Sequence, residues 1–150
     1  MKRFIIGLLV LCGGTASSQI YNPVQWSYSA KKISDKTYEL HFTASISNRW
    51  HLYSQEAGEG PVPTKFTFAG NPLVTIDGKI REIGNLEKSY DKNFNSVLKY
   101  YANSVEFIQK IKVRQRITTA VKGSINFMVC NDRECLPPRD FPFTIKIGEK

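Results

Sequence analysis

Between Tyr38 and Ile46 apolar and polar residues alternate without a break: Tyr38, Leu40, Phe42, Ala44 and Ile46 take every second position, with Glu39, His41, Thr43 and Ser45 between them. Period-two alternation over nine residues predicts an antiparallel strand with one face buried and one face wet. Val24 to Ala30 alternates ahead of it, and Ser34-Asp35-Lys36 is a turn signal between the two. Asn48-Arg49 turns the chain into Trp50-His51-Leu52-Tyr53-Ser54, and Glu56 to Pro63 is a Gly/Pro loop. Lys65 to Phe68 is a short strand, ended by Gly70-Asn71-Pro72. Val74-Thr75-Ile76, Asp77-Gly78 and Ile80 have the form of a hairpin. Asn85 to Ser96 is polar with isolated aromatics at Tyr90 and Phe94, the pattern of a long loop. Val97 to Tyr101 is a strand, and Val105, Phe107, Ile111 and Val113 mark the next, with Lys110, Lys112, Arg114 and Arg116 on its solvated face. Val121 to Cys130 and Phe141 to Ile147 complete the set.

Eight or nine short strands with turns between them, and no helical period outside the first residues, predict an all-β fold: an antiparallel β-sandwich of immunoglobulin-like type. The Trp and Cys hallmarks of antibody domains are absent, because the two downstream cysteines stand too close in sequence to bridge two sheets.

The first residues change the picture of where this sandwich works. Lys2 and Arg3, the apolar run Phe4 to Leu11, and the small residues Ala16 and Ser18 form the pattern of a secretory signal peptide over residues 1–18, with maturation expected before Gln19. The apolar run is too short for a stable membrane anchor. Cys12 would suit a lipoprotein, but bulky Leu11 stands where a small residue is usual. Removal of residues 1–18 leaves residues 19–150 as one domain with a net charge of +6, against +8 for the whole chain. The basic residues are dispersed and no nucleic-acid motif accompanies them, so the charge does not select nucleic acid as a partner. Export favours an oxidising compartment, where two thiols close unless something reduces them.

The candidate chemistry lies in Val129 to Pro138, Val-Cys-Asn-Asp-Arg-Glu-Cys-Leu-Pro-Pro. Four residues separate Cys130 from Cys135, a spacing that can bring both Cα atoms within disulfide range, and Pro137-Pro138 stiffens the exit. The spacing fits first a structural staple, worth roughly 2 kcal/mol for so small a loop, and second a redox-active pair. Arg133 and Arg139 would favour a thiolate while Asp132, Glu134 and Asp140 oppose it, so local charge does not decide between the two. The Cys-x-x-Cys spacing of thioredoxin-like enzymes is absent. Zinc would need Cys130, Cys135, His41 and His51 together, and alternation puts His41 on the solvent face.

Trp50-His51-Leu52-Tyr53, Tyr100-Tyr101 and Cys-Asn-Asp-Arg-Glu-Cys-Leu-Pro-Pro, together with the signal peptide and strand pattern, resemble the N-terminal periplasmic domain of the DsbD thiol:disulfide interchange proteins. The resemblance spans nearly the whole mature chain, and its most specific piece is the Cys-Leu-Pro-Pro ending. It implies an immunoglobulin-like fold, periplasmic location and a protein-disulfide reductase component that uses neither cofactor nor metal. Electrons would come from a thioredoxin-like donor, a membrane reductant transporter or its thioredoxin-like domain, and pass to oxidised periplasmic thiol proteins. Cys135 would form the mixed disulfide with partners and Cys130 would resolve it. Phe94 falls at the aromatic of the family's cap loop, His51 and Tyr53 fall at two tyrosine positions flanking the cysteines, and Tyr90, Asp91, Tyr101 and Pro137 complete the expected surround. The chain departs from the family in three respects. Its cysteine pair has one intervening residue fewer. Lys92 and Asn93 stand where acidic residues precede the cap aromatic, with Asp91 and Glu87 only nearby. Neither the family's multi-helix membrane domain nor its C-terminal thioredoxin-like domain stands in these 150 residues, so a separate donor protein is expected.

Overall fold

The computed structural model describes residues 21–92, 94–114 and 118–148. The expected signal peptide with Cys12, and the expected positions of Asn93 and Arg116, lie outside the described residues.

Among the described residues eight antiparallel strands follow one another: β1 (Val24–Ser34), β2 (Thr37–Ile46), β3 (His51–Tyr53), β4 (Lys65–Phe68), β5 (Val74–Asp91), β6 (Ser96–Val113), β7 (Thr119–Cys130) and β8 (Cys135–Ile147). They form an immunoglobulin-like sandwich made from one curled sheet. One wing is β1, β2, β6 and β5; the other is β4, β7 and β8. The three residues of β3 pair with β6 on one side and β7 on the other and so join the wings.

The alternation of β2 appears in full: Tyr38, Leu40, Phe42, Ala44 and Ile46 are all buried. Aromatic side chains meet between the wings. Trp26 of β1 packs on Phe107 of its own wing and on Phe66, Phe127 and Phe141 of the other, with centroids 5.5–6.4 Å apart. Phe42 lies 5.0 Å from Phe66 and 4.8 Å from Phe143. Tilted and edge-on pairs at this spacing add to the large apolar area that each ring removes from water.

Three expectations are corrected. Asp77-Gly78 is not a hairpin. Residues on both sides pair with β6 and the register shifts between Asp77 and Arg81, which marks a bulge. Gly78 takes φ 76°, and the buried Gln109 amide donates to the carbonyls of Asp77 and Gly78, so the bulge is held by a core side chain. Asn85 to Ser96 is not a loop. β5 runs to Asp91, with Leu86 to Asp91 paired to Tyr101 through Ser96. The segment looks like a loop in sequence because a ladder at the margin of the molecule has little apolar surface to bury. For the same reason Val97 to Tyr101 and Val105 to Val113 are one continuous β6, bent at Asn103 with φ 63°. Lys110 and Lys112 both pair with Asp77, at 3.6 and 3.2 Å, on the solvated face. No helix among the described residues is long and apolar enough to cross a membrane.

Candidate functional site

The site grows from β3. Successive strand residues point to opposite faces, so Leu52 faces the main core beside its partners Tyr101 and Val129, while His51 and Tyr53 face the other way. His51 stands directly opposite Cys130 of β7, and Tyr53 directly opposite Tyr100 of β6. Cys130 in turn stands opposite Cys135 of β8. One sheet face therefore carries His51, Tyr53, Tyr100 and the cysteine pair.

The cysteines form a disulfide with Cα atoms 4.0 Å apart. The loop between them is organised by Asn131, whose side-chain oxygen accepts the N–H groups of Arg133 and Glu134 at 2.8 and 2.9 Å, while its own N–H donates to the Glu134 carbonyl. An Asx turn of this kind lets a four-residue loop close. The two sulfurs are not equivalent. Cys130 is 2% exposed, whereas Cys135 is exposed. The bridge joins neighbouring strands of one wing, as the short spacing requires.

Above this face lies a second, smaller cluster: Tyr53, Ala57, Leu98 and Cys130, with Phe94, Tyr100 and Met128 packed against it. Two loops supply its roof. The tip of the β5–β6 hairpin brings Phe94, whose N–H donates to the Asp91 carboxylate at 3.3 Å. From the other side comes the loop after β3. It is stitched to β6 by the Ser54 N–H on Lys99 O and the Lys99 N–H on Ala57 O, and to β7 by the Val62 N–H on the Met128 sulfur. Phe94 rests on Gly60: a Cβ there would lie 2.2 Å from the ring's Cδ1, and Gly60 has φ 121°, so only glycine suits the position. The loop is tied back to the main core through Glu82, whose carboxylate accepts from the Ser54 hydroxyl, the Gln55 N–H and the Tyr101 hydroxyl at 2.6–2.8 Å.

His51 packs on Tyr100 in a tilted pair with centroids 4.5 Å apart and meets Tyr53 edge-on, its Nε2 3.2 Å from the Tyr53 hydroxyl. Burial holds the His51 pKa below its ordinary value of 6.5, against the opposing pull of Asp132, Asp91 and Glu87. Burial first, then Asp91 and Tyr100, pushes the Tyr53 hydroxyl up to about 12. Tyr100 is raised too, chiefly by burial. A hollow of 370 Å³ opens between His51, Tyr100, Asp91, Lys92 and Asp132. A second, of 440 Å³, lies on the far side of the cysteine loop against Arg49, Trp50 and Arg133.

Of the expected site residues, the fold brings together Cys130, Cys135, His51, Tyr53, Phe94 and Asp91. Tyr90 is 57% exposed; it bonds to Asn95 and reaches only the rim of the first hollow. Pro137 is exposed just beyond Cys135. Tyr101 is not brought to the pair: it lies in the main core, bonded to Glu82, and its neighbour Tyr100 occupies the site instead. Parity could have found this, since Tyr101 pairs with core-facing Leu52. Leu98, Ala57, Gly60 and Met128 had no local signal, because their roles depend on which loops meet over the sheet.

The family model for the N-terminal domain of thiol:disulfide interchange protein DsbD matches residues 19–145. Among solved structures, the fold is similar to the N-terminal periplasmic domain of ScsB from Proteus mirabilis, with TM-score 0.62 and 15% identity over 83% of this chain and 46% of that one. This chain thus spans about half of that ScsB structure. It is also similar to the DsbD N-terminal domain of Neisseria meningitidis in its reduced form, with TM-score 0.56 and 16% identity over 87% of this chain and 92% of that one. None of the curated protein sequences matches this chain.

Proposed function

The chain belongs to the family of DsbD N-terminal domains, and from that membership we propose that it is an exported, periplasmic relay module, freed of residues 1–18, that takes electrons from a thioredoxin-like donor and gives them to oxidised periplasmic proteins. The observation that carries the reading is the unequal exposure of the two sulfurs: Cys135 is open to a partner and Cys130 is buried behind it under the Phe94 roof. Exchange needs one accessible sulfur and one resolving thiol held close to it. A donor thiolate attacks Cys135, the Cys130–Cys135 bond breaks with its electrons on Cys130, and the donor's second thiol releases the reduced pair. Cys135 thiolate then attacks an acceptor disulfide, and Cys130 closes back onto Cys135 as the acceptor leaves reduced. Phe94 acts as a lid that excludes small oxidants from the pair until a partner displaces it. Tyr100 and Asp91, which line the hollow beside the pair, form the wall against which the partner docks.

Two measurements test this. Equilibrated against dithiothreitol, the pair is expected to show a potential above the roughly −300 mV below which structural bridges sit, with the circular dichroism spectrum unchanged on reduction. Cys130→Ser is expected to trap a thioredoxin-like protein as a mixed disulfide, and Cys135→Ser to trap none. A very low potential, or unfolding on reduction, would make the bridge a staple in a binding domain.

A further inference from the structure

We propose that His51 is the proton acceptor that activates Cys130 in the resolving step, an assignment that rests on the relay reading above. His51 and Cys130 are direct partners across β3 and β7. Side chains of directly opposed residues share a face, with Cβ atoms about 4.5–5.5 Å apart. The imidazole is held in place by its tilted ring contact with Tyr100 and by its contact with Tyr53. When Nε2–H donates to the Tyr53 oxygen, Nδ1 is left with a free lone pair.

The chemistry needs such a group. In the mixed disulfide, Cys135 is bonded to the partner's sulfur and Cys130 is a thiol. Cys130 is 2% exposed and lies in an apolar cluster, surroundings that disfavour a thiolate and keep water from taking its proton. A neutral imidazole beside it removes that proton. Cys130 thiolate then attacks Cys135 Sγ: the Cys130–Cys135 bond forms, the bond from Cys135 to the partner breaks, and its electron pair leaves on the partner's sulfur. The imidazolium returns the proton to that leaving thiolate.

The groups around His51 suit both halves of the cycle. Burial keeps the ring neutral beforehand. Asp132 on the cysteine loop and Glu87 and Asp91 on β5 favour the positive charge once it forms. Tyr53 and Tyr100, the remaining titratable groups packed on the ring, stay protonated at neutral pH because burial raises both hydroxyls. Lys92 is the one cation among the described residues lining the same hollow.

The test uses the mature chain, reduced and mixed with one equivalent of 5,5′-dithiobis(2-nitrobenzoate). The first thionitrobenzoate released reports attack by Cys135 and the second reports resolution by Cys130. In the wild type, the second release is expected to slow as pH falls, with an inflection below the ordinary histidine value of 6.5. In His51→Gln the second release should be about a hundredfold slower or more at pH 7, the usual scale for loss of a positioned base. That variant should also lose the inflection, while the first release stays within about twofold. An unchanged second release in a folded His51→Gln, or a wild-type second release without the inflection, overturns the assignment but leaves the relay standing. If the wild-type protein releases no second equivalent, the relay reading falls and the assignment falls with it.

Discussion

The sheet formed by β6, β3 and β7 covers both of its faces, and the two coverings differ in kind. Below it, Leu52, Tyr101 and Val129 join a core that holds twenty of the described residues buried, built from interlocking aromatic side chains of both wings. Above it, His51, Tyr53, Tyr100 and Cys130 lie one residue away along the same strands, and only four of the described residues are buried in the cluster there. The lower face is closed by strands whose backbone groups are already paired. Two loop segments roof the upper face, meeting where Phe94 sits on Gly60. Regular strands packed on both sides open only with global unfolding, whereas a roof of loops with few buried contacts can open locally. A redox pair that must be shielded and yet reachable belongs under the second kind of cover.

The largest expected effect tests the lower face. Phe107 is fully buried and packs on Trp26 and Phe66. Phe107→Ala should cost about 3–5 kcal/mol, the usual range for a large core ring, read from urea unfolding. The folded fraction should still exchange thiols at the wild-type rate; a slowed exchange would show that the faces are coupled more tightly than the packing implies.

Next is the roof. Phe94→Ala should speed oxidation of the reduced pair by a small disulfide several-fold while lowering stability by no more than about 1–2 kcal/mol, because Phe94 is only half-buried. Gly60→Ala should act in the same direction, since its Cβ would occupy the seat of the ring. Equal oxidation rates in both variants and the wild type would remove the lid role.

The smallest effect is a slope. The folded His51 pKa lies below 6.5, so below that pH the unfolded chain binds the proton more readily than the folded one. This contribution to stability is complete above pH 6.5 and is lost as pH falls toward the folded value. His51→Gln should flatten the stability–pH curve just below pH 6.5. A curve that keeps its shape would mean that the ring is not buried in solution as it is here.

Much of this was legible in the chain. Unbroken alternation in Tyr38–Ile46 marked a half-buried strand because a period of two admits no other buried face. The Cys-Asn-Asp-Arg-Glu-Cys spacing limited the bridge to a local one. Sequence misjudged Asn85–Ser96 and Asp77-Gly78, where the ladder is made by main-chain pairing with β6 and by Gln109, neither of which depends on local apolar pattern. It also assigned Tyr101 to the site, when the partner strand's parity puts Tyr100 there.

The sequence by itself therefore determined the all-β class, the cysteine hairpin and the residue types available to it, since these follow from short-range periodicity and loop length. Only the tertiary structure decided which sulfur is buried, that His51 stands across from Cys130, and that Phe94 closes on Gly60. Those relations are set by strand register and by loops distant in sequence, and a shift of one residue in register would turn every one of these side chains to the other face.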